Sequence, residues 1–127
     1  MTEFVFALEP GASISQQAVY AAKKALISGQ IQPGERFPSV RSLSKTLGIN
    51  PNTAHKVIGR LIAAGLLEVK PGIGTIVAGR EIEDAAKRNT LLKNDLERIV
   101  VDAKRTGLKL EDVTAALSYH WTRLTPA

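Results

Sequence analysis

The stretch GINPNTAHKV, residues 48–57, decides how the chain is to be read. Gly48 is a helix terminator, Asn50 is a good N-cap, and Pro51 stands at a first helical position, where its missing N–H costs nothing. From Ala54 onward Val57, Ile58, Leu61 and Ile62 recur at i, i+3, i+4, i+7 and i+8, and Gly65 ends the pattern. The opposite face carries Asn52, Thr53, His55, Lys56 and Arg60, so the helix opens on a turn of amides, hydroxyls and cations that buries nothing. Immediately upstream, PSVRSLSKTLG offers Ser39 as an N-cap, with Val40, Leu43 and Leu47 on one face and Gly48 as the stop. Two helices joined by a short turn around Gly48 give the outline of a helix-turn-helix.

Working outward, LLEVK, a PGIG turn and TIVA form two short β-prone runs around a Gly-rich connection, the pattern of a hairpin and, in this position, of a wing. Before the pair, residues 14–28 carry Ile14, Ala18, Ala21, Ala22, Ala25 and Leu26 at helical spacing, with Gly29 at the end. Residues 4–8 alternate Phe4, Phe6 and Leu8 and predict a short strand. After the wing the composition becomes polar and charged. A helix is expected from Arg80 to about Arg105, with Ile82, Ala85, Ala86, Leu92, Leu96, Ile99 and Ala103 near helical spacing, closed by Gly107. A last helix, residues 110–124, places Val113, Ala116, Leu117, His120, Trp121 and Leu124 on one stripe. The expected fold is mainly α with a small β-hairpin. Residues 1–79 would form a winged helix-turn-helix and residues 80–127 a C-terminal α-helical hairpin used for dimerisation.

At 127 residues the chain has room for one domain, or a compact module with an appendage. Its net charge of +5 favours polyanionic partners. With no cysteine there is no disulfide framework and no thiolate chemistry. The acidic, weakly apolar N-terminus does not read as a secretory signal and no run is long enough for a membrane helix, so a cytoplasmic protein with no membrane partner is expected. Gly72-Ile73-Gly74 precedes a strand and not a helix, which argues against a phosphate loop. His55 and His120 fall in different modules without metal-ligand spacing, and the carboxylates are scattered. Neither an enzyme nor a metal or cofactor is expected.

The polar first turn suits a helix that enters the major groove of double-stranded DNA with its early residues at base edges. Asn50 and Asn52 present amides, Asn52 in the right position for adenine, while Thr53, His55, Lys56 and Arg60 can meet bases or phosphates. Arg36 and Arg41 flank the start of the preceding helix near Ser39 and can grip phosphates, and Lys70 and Gly72 occupy the wing tip. Taken singly, each of these is equally a solvated surface residue. Two rival readings are a winged-helix adaptor that binds protein and a sequence-indifferent architectural DNA binder.

The run from ISQQAVYAAKKAL to GLLEVKPGIGTIV resembles the winged-helix domain of the GntR family of bacterial transcription regulators. Three elements carry the likeness: SGQIQPGERFPSVRSLS, NPNTAHKVIGRL and GLLEVKPGIGTIV. The short tail, the NPNT start and FVFALEPGASIS are similar to the YtrA subfamily, in which two helices replace a large effector-binding domain. The resemblance implies a homodimeric regulator, usually a repressor, on an inverted repeat in the control region of its own operon. It places DNA contacts on Arg41, Asn52, Thr53, His55 and the wing around Gly72. Pro51 and His55 stand where many relatives have arginine, and KPGIG is less basic than many wings.

The tail supports dimerisation without the family. Two helices cannot wrap a pocket of several hundred cubic ångströms, so the tail is not expected to hold a small-molecule effector; whether any signal controls the chain is left open by the sequence. The stripes of the two helices would be left partly exposed in a single chain. Leu92, Leu96, Ile99, Val113, Leu117, His120, Trp121 and Leu124 are the residues expected at a two-fold interface. Such a dimer would set two recognition helices about 34 Å apart, one turn of DNA.

Overall fold

A computed structural model describes residues 4–79 and 85–126. The chain separates into two compact units, Met1–Arg80 with Pro126–Ala127, and Glu81–Thr125. In the first, three helices, α1 (Ile14–Ile27), α2 (Val40–Leu47) and α3 (Pro51–Ala63), precede strands β1 (Leu67–Lys70) and β2 (Gly74–Val77). Side-chain caps set the helix starts. Ser13 Oγ accepts the Gln16 N–H, Ser39 Oγ accepts the Ser42 N–H at 3.1 Å, and Asn50 Oδ1 accepts the Asn52 N–H at 2.8 Å. Gly48, with φ of 66°, takes the left-handed conformation that ends α2 and turns the chain toward α3.

Packing follows the apolar spacing. α3 contacts both α1 and α2, and the buried Ala18, Ala22 and Ala25 of α1 are small enough to permit close approach. Leu43 of α2 and Val57 and Leu61 of α3 are completely buried, each worth about 1.5–3 kcal/mol of transfer free energy. Phe37, Leu67 and Val77 carry this core into the sheet. The core therefore holds α3 from behind and leaves its polar face outward.

The wing contains more than the expected hairpin. β1 and β2 pair antiparallel with Leu67 opposite Val77 and Lys70 opposite Gly74. On the other side of β2, Arg36 bridges Ile76: the Val77 N–H donates to Glu35 O at 2.8 Å, and the Phe37 N–H donates to Thr75 O at 2.9 Å. Residues 34–37 thus act as a third strand, and β2 is central.

The strand expected at residues 4–8 is absent. That segment has no backbone partner among the described residues and is held by side chains. Phe4 is 3% exposed, its ring 5.1 Å from that of Phe37 and 5.4 Å from that of Phe6. Gln17 ties the following loop to α1, accepting the Glu9 N–H at 2.8 Å and donating to Glu9 O and Ala12 O. The period-two pattern reported an aromatic anchor, not a ladder.

In the second unit, α4 (Ala85–Thr90) runs through a π-helical segment (Leu91–Asp95) into α5 (Leu96–Arg105), and α6 (Leu110–Arg123) follows. The expected helix is present from Ala85 on; its start at Arg80 and Ile82 lies outside the described residues. Gly107, with φ of 78°, makes the turn, and Asp112 caps α6 by accepting the Lys109 N–H at 2.8 Å. The two arms of the expected helical pair, α4–α5 and α6, are present on either side of that turn.

Candidate nucleic-acid interface

The turn between α2 and α3 is clasped at one residue. Ser44 O accepts the Ile49 N–H at 3.0 Å, while the Ser44 hydroxyl donates to Ile49 O at 2.5 Å. This double link fixes where α3 begins relative to α2. Ser44 is not among the residues expected from the sequence, because a hydroxyl one turn before a helix stop carries no local signal of a partner beyond it.

Around that clasp the candidate residues divide into those that shape the surface and those left to act on it. Ser39 is occupied as the α2 cap, its hydroxyl also bonded to Ser42 Oγ at 3.1 Å. Asn50 spends its carbonyl oxygen on the α3 cap. Asn52, His55, Lys56 and Arg60 are exposed on the outward side of α3, and Thr53 is half-buried. Arg36 and Arg41 are exposed and make no ion pair among the described residues. At the wing tip the Ile73 N–H donates to Lys70 O at 3.0 Å, closing a turn with Pro71 and Gly72 at its centre. Gly72 has φ of 79°, which this turn type requires at its third position. Lys70 Nζ lies 3.9 Å from Glu68 Oε1, so the wing's cation already has an acidic neighbour.

The electrostatics of this face are one-sided. Between Glu35 and Glu68 the sequence contains no acidic residue, while Arg36, Arg41, Lys45, Lys56 and Arg60 all fall within it. The first turns of α2 and α3 have no carboxylate, although helix starts ordinarily favour one. Neutral caps, Ser39 and Asn50, serve these starts in place of a carboxylate, which leaves their positive dipole ends without a negative charge and suits an anion-binding surface. This charge segregation is visible in the sequence and was passed over there.

The residues expected at a dimer interface all fall on the tail helices, from the π-helical segment to the end of α6. Leu92, Ile99, Leu117, His120 and Trp121 are exposed, Trp121 to 81%, and Leu96, Val113 and Leu124 are half-buried. Arg123 Nη2 is 3.1 Å from His120 Nδ1, and the guanidinium lies 5.7 Å from the centre of the Tyr119 ring. No described helix is long and apolar enough to cross a membrane, and no described cluster of His, Asp and Glu has the grouping to hold a metal ion.

Residues 14–77 match the family described as bacterial regulatory proteins, gntR family. The chain is 30% identical over 99 residues to the HTH-type transcriptional repressor YtrA of Bacillus subtilis, covering 77% of this chain and 76% of that protein. It is 33% identical over 89 residues to the uncharacterized HTH-type transcriptional regulator YhcF of the same organism, covering 69% and 73%. Among solved structures, a transcriptional antiterminator from Listeria monocytogenes superposes with a TM-score of 0.77 at 22% identity, over 94% of this chain and 92% of that one. YtrA from Sulfolobus acidocaldarius, a GntR-family transcription factor, does so with a TM-score of 0.52 at 23% identity, over 93% and 96%. On the match over residues 14–77 and the 30% identity to YtrA across three quarters of both chains, the chain belongs to the GntR family of bacterial regulatory proteins and is of the YtrA type.

Proposed function

We propose that this DNA-binding regulator works as a homodimeric repressor of its own operon, reading an inverted repeat with α3. The single observation that carries the reading is the acid-free, cation-bearing face around the polar first turn of α3. Asn52, Thr53 and His55 meet base edges, Lys56 and Arg60 meet bases or phosphates farther along, and Arg36, Arg41 and Lys70 hold the phosphate backbone while Gly72 lets the wing tip approach it. Asn50 and Ser39 keep the two helix starts in place and lend their remaining polar atoms to the contact. The tail supplies the partner copy, covering Leu92, Leu96, Ile99, Val113, Leu117, His120, Trp121 and Leu124. Two-fold symmetry then sets the two α3 helices about one DNA turn apart. No catalysis is involved.

Footprinting on the DNA upstream of the protein's own gene tests this directly. Protection of two half-sites of opposite orientation, centred about 10 base pairs apart or a multiple of that, is the expected result. Uniform protection without a preferred site would replace the reading with an architectural one, and no protection at low salt would remove it.

A further inference from the structure

A cleft of about 580 Å³ opens between the start of α2, one flank of α3 and the wing. Pockets of roughly 300–1,000 Å³ take small organic ligands, so the volume is sufficient. Its walls are apolar, formed by Phe37, Val40, Ile58, Ile62 and Ile73, and Arg36 and His55 are the basic groups that line it. No acidic residue lines it, and Arg36 has no ion-pair partner among the described residues. A phosphodiester backbone matches the arginine but not the isoleucine walls. A flat apolar body carrying one acidic group matches both.

Gly59, in the same wall, supports the view that the space is kept open. Glycine inside a helix costs about 0.5–1 kcal/mol relative to alanine. Here a Cβ would meet nothing within 4 Å, and the backbone does not have a positive φ. Neither packing among the described residues nor backbone conformation calls for glycine, and because Gly59 lines the cleft, a side chain here would stand at its edge.

We propose that the cleft binds an amphipathic organic monoanion, its acidic group on Arg36 and its apolar body against Ile58, Ile62 and Ile73, and that occupancy excludes DNA. The exclusion rests on the DNA reading above, because the walls are α3 and the wing. It would give the chain an effector site on its DNA-facing surface.

Anilinonaphthalene sulfonate, an aromatic monoanion, is a suitable probe, with uncharged phenylnaphthylamine as its control. Amide NMR of the isotope-labelled full chain should show shifts confined to residues 36–40, 55–62 and 73–75. Gly59→Leu, at an exposed position where leucine favours the helix, should raise the sulfonate's Kd about tenfold or more, and Ile73→Ser should raise it severalfold. Arg36→Gln should weaken the sulfonate and leave phenylnaphthylamine unaffected. Shifts confined to the exposed apolar residues of the tail, or an unchanged Kd in both cleft variants, would overturn the proposal. In a second arm the sulfonate is added to protein already bound to labelled duplex from upstream of its gene. Release of the duplex, lost in Gly59→Leu, is expected; simultaneous occupancy overturns the exclusion. A chain that fails to hold the duplex before the probe is added sinks the DNA reading and the exclusion with it, and the shift map still decides the cleft.

Discussion

Arg41→Ala separates phosphate gripping from base reading in one titration series. Arg41 is exposed in the first turn of α2 and has no ion pair among the described residues, so its full charge is available to a phosphate. Each phosphate neutralised contributes about 0.9 to the slope of log K against log salt. A homodimer loses two contacts, which should flatten the slope by about 1.8. Between about 50 and 200 mM salt the affinity gap between wild type and variant should therefore close by roughly tenfold. Fluorescence anisotropy on a labelled duplex spanning the footprinted site, repeated over that range, measures it. Asn52→Ala should instead keep the wild-type slope and lose preference for the site over competitor DNA. Parallel salt slopes for wild type and Arg41→Ala would refute the phosphate role, however much affinity the substitution costs. Lys70→Ala is expected to flatten the slope less, because Glu68 already lies beside that ammonium.

Other expectations follow from the same architecture. Phe4→Ala should cost about 3–5 kcal/mol in urea unfolding, since the ring is almost fully buried against Phe37 and Phe6; a loss below about 1 kcal/mol would mean that the N-terminal segment is not docked. Asn50→Ala should remove about 0.5–2 kcal/mol through the lost cap of α3, whereas Asn50→Asp should largely retain it, and thermal melts distinguish the two. Leu117→Asp should convert a dimer to a monomer in sedimentation velocity, and a retained dimer would move the interface off this stripe.

The helix pair was legible because its signals are local: a cap, a proline, a glycine and an apolar repeat all lie within one or two turns of the positions they control. The same holds for α1 and for the presence of the hairpin, although its register, which brings Gly74 of the expected turn into the ladder opposite Lys70, was not among the expectations. What escaped depends on partners distant in sequence or on backbone hydrogen bonding that side chains do not announce. Residues 34–37 do not announce a strand, since GERF has one apolar residue and its ladder partner is β2, some 40 residues later. Phe4 and Phe6 alternate like a strand because both reach one aromatic cluster. The π-helical segment at Leu91–Asp95 is invisible to a pattern of period 3.6, and it rotates the residues before it relative to those after it. At the candidate interface the outward residues of α3 could be named from periodicity, while the Ser44 clasp and the Gly59 opening needed three dimensions.

The third strand has a consequence for anyone wishing to move the wing to another scaffold. A two-stranded ribbon is marginal in water, and here its central member borrows half its ladder from a segment translated before α2 and α3. Excised at Leu67 and Val77, the ribbon would forfeit the backbone bonds to Gly34, Glu35 and Phe37 along with the cover of the Phe37 ring. A graft must therefore carry residues 34–37 as well, and a nascent chain cannot finish this sheet until the reading head between its two halves has been made.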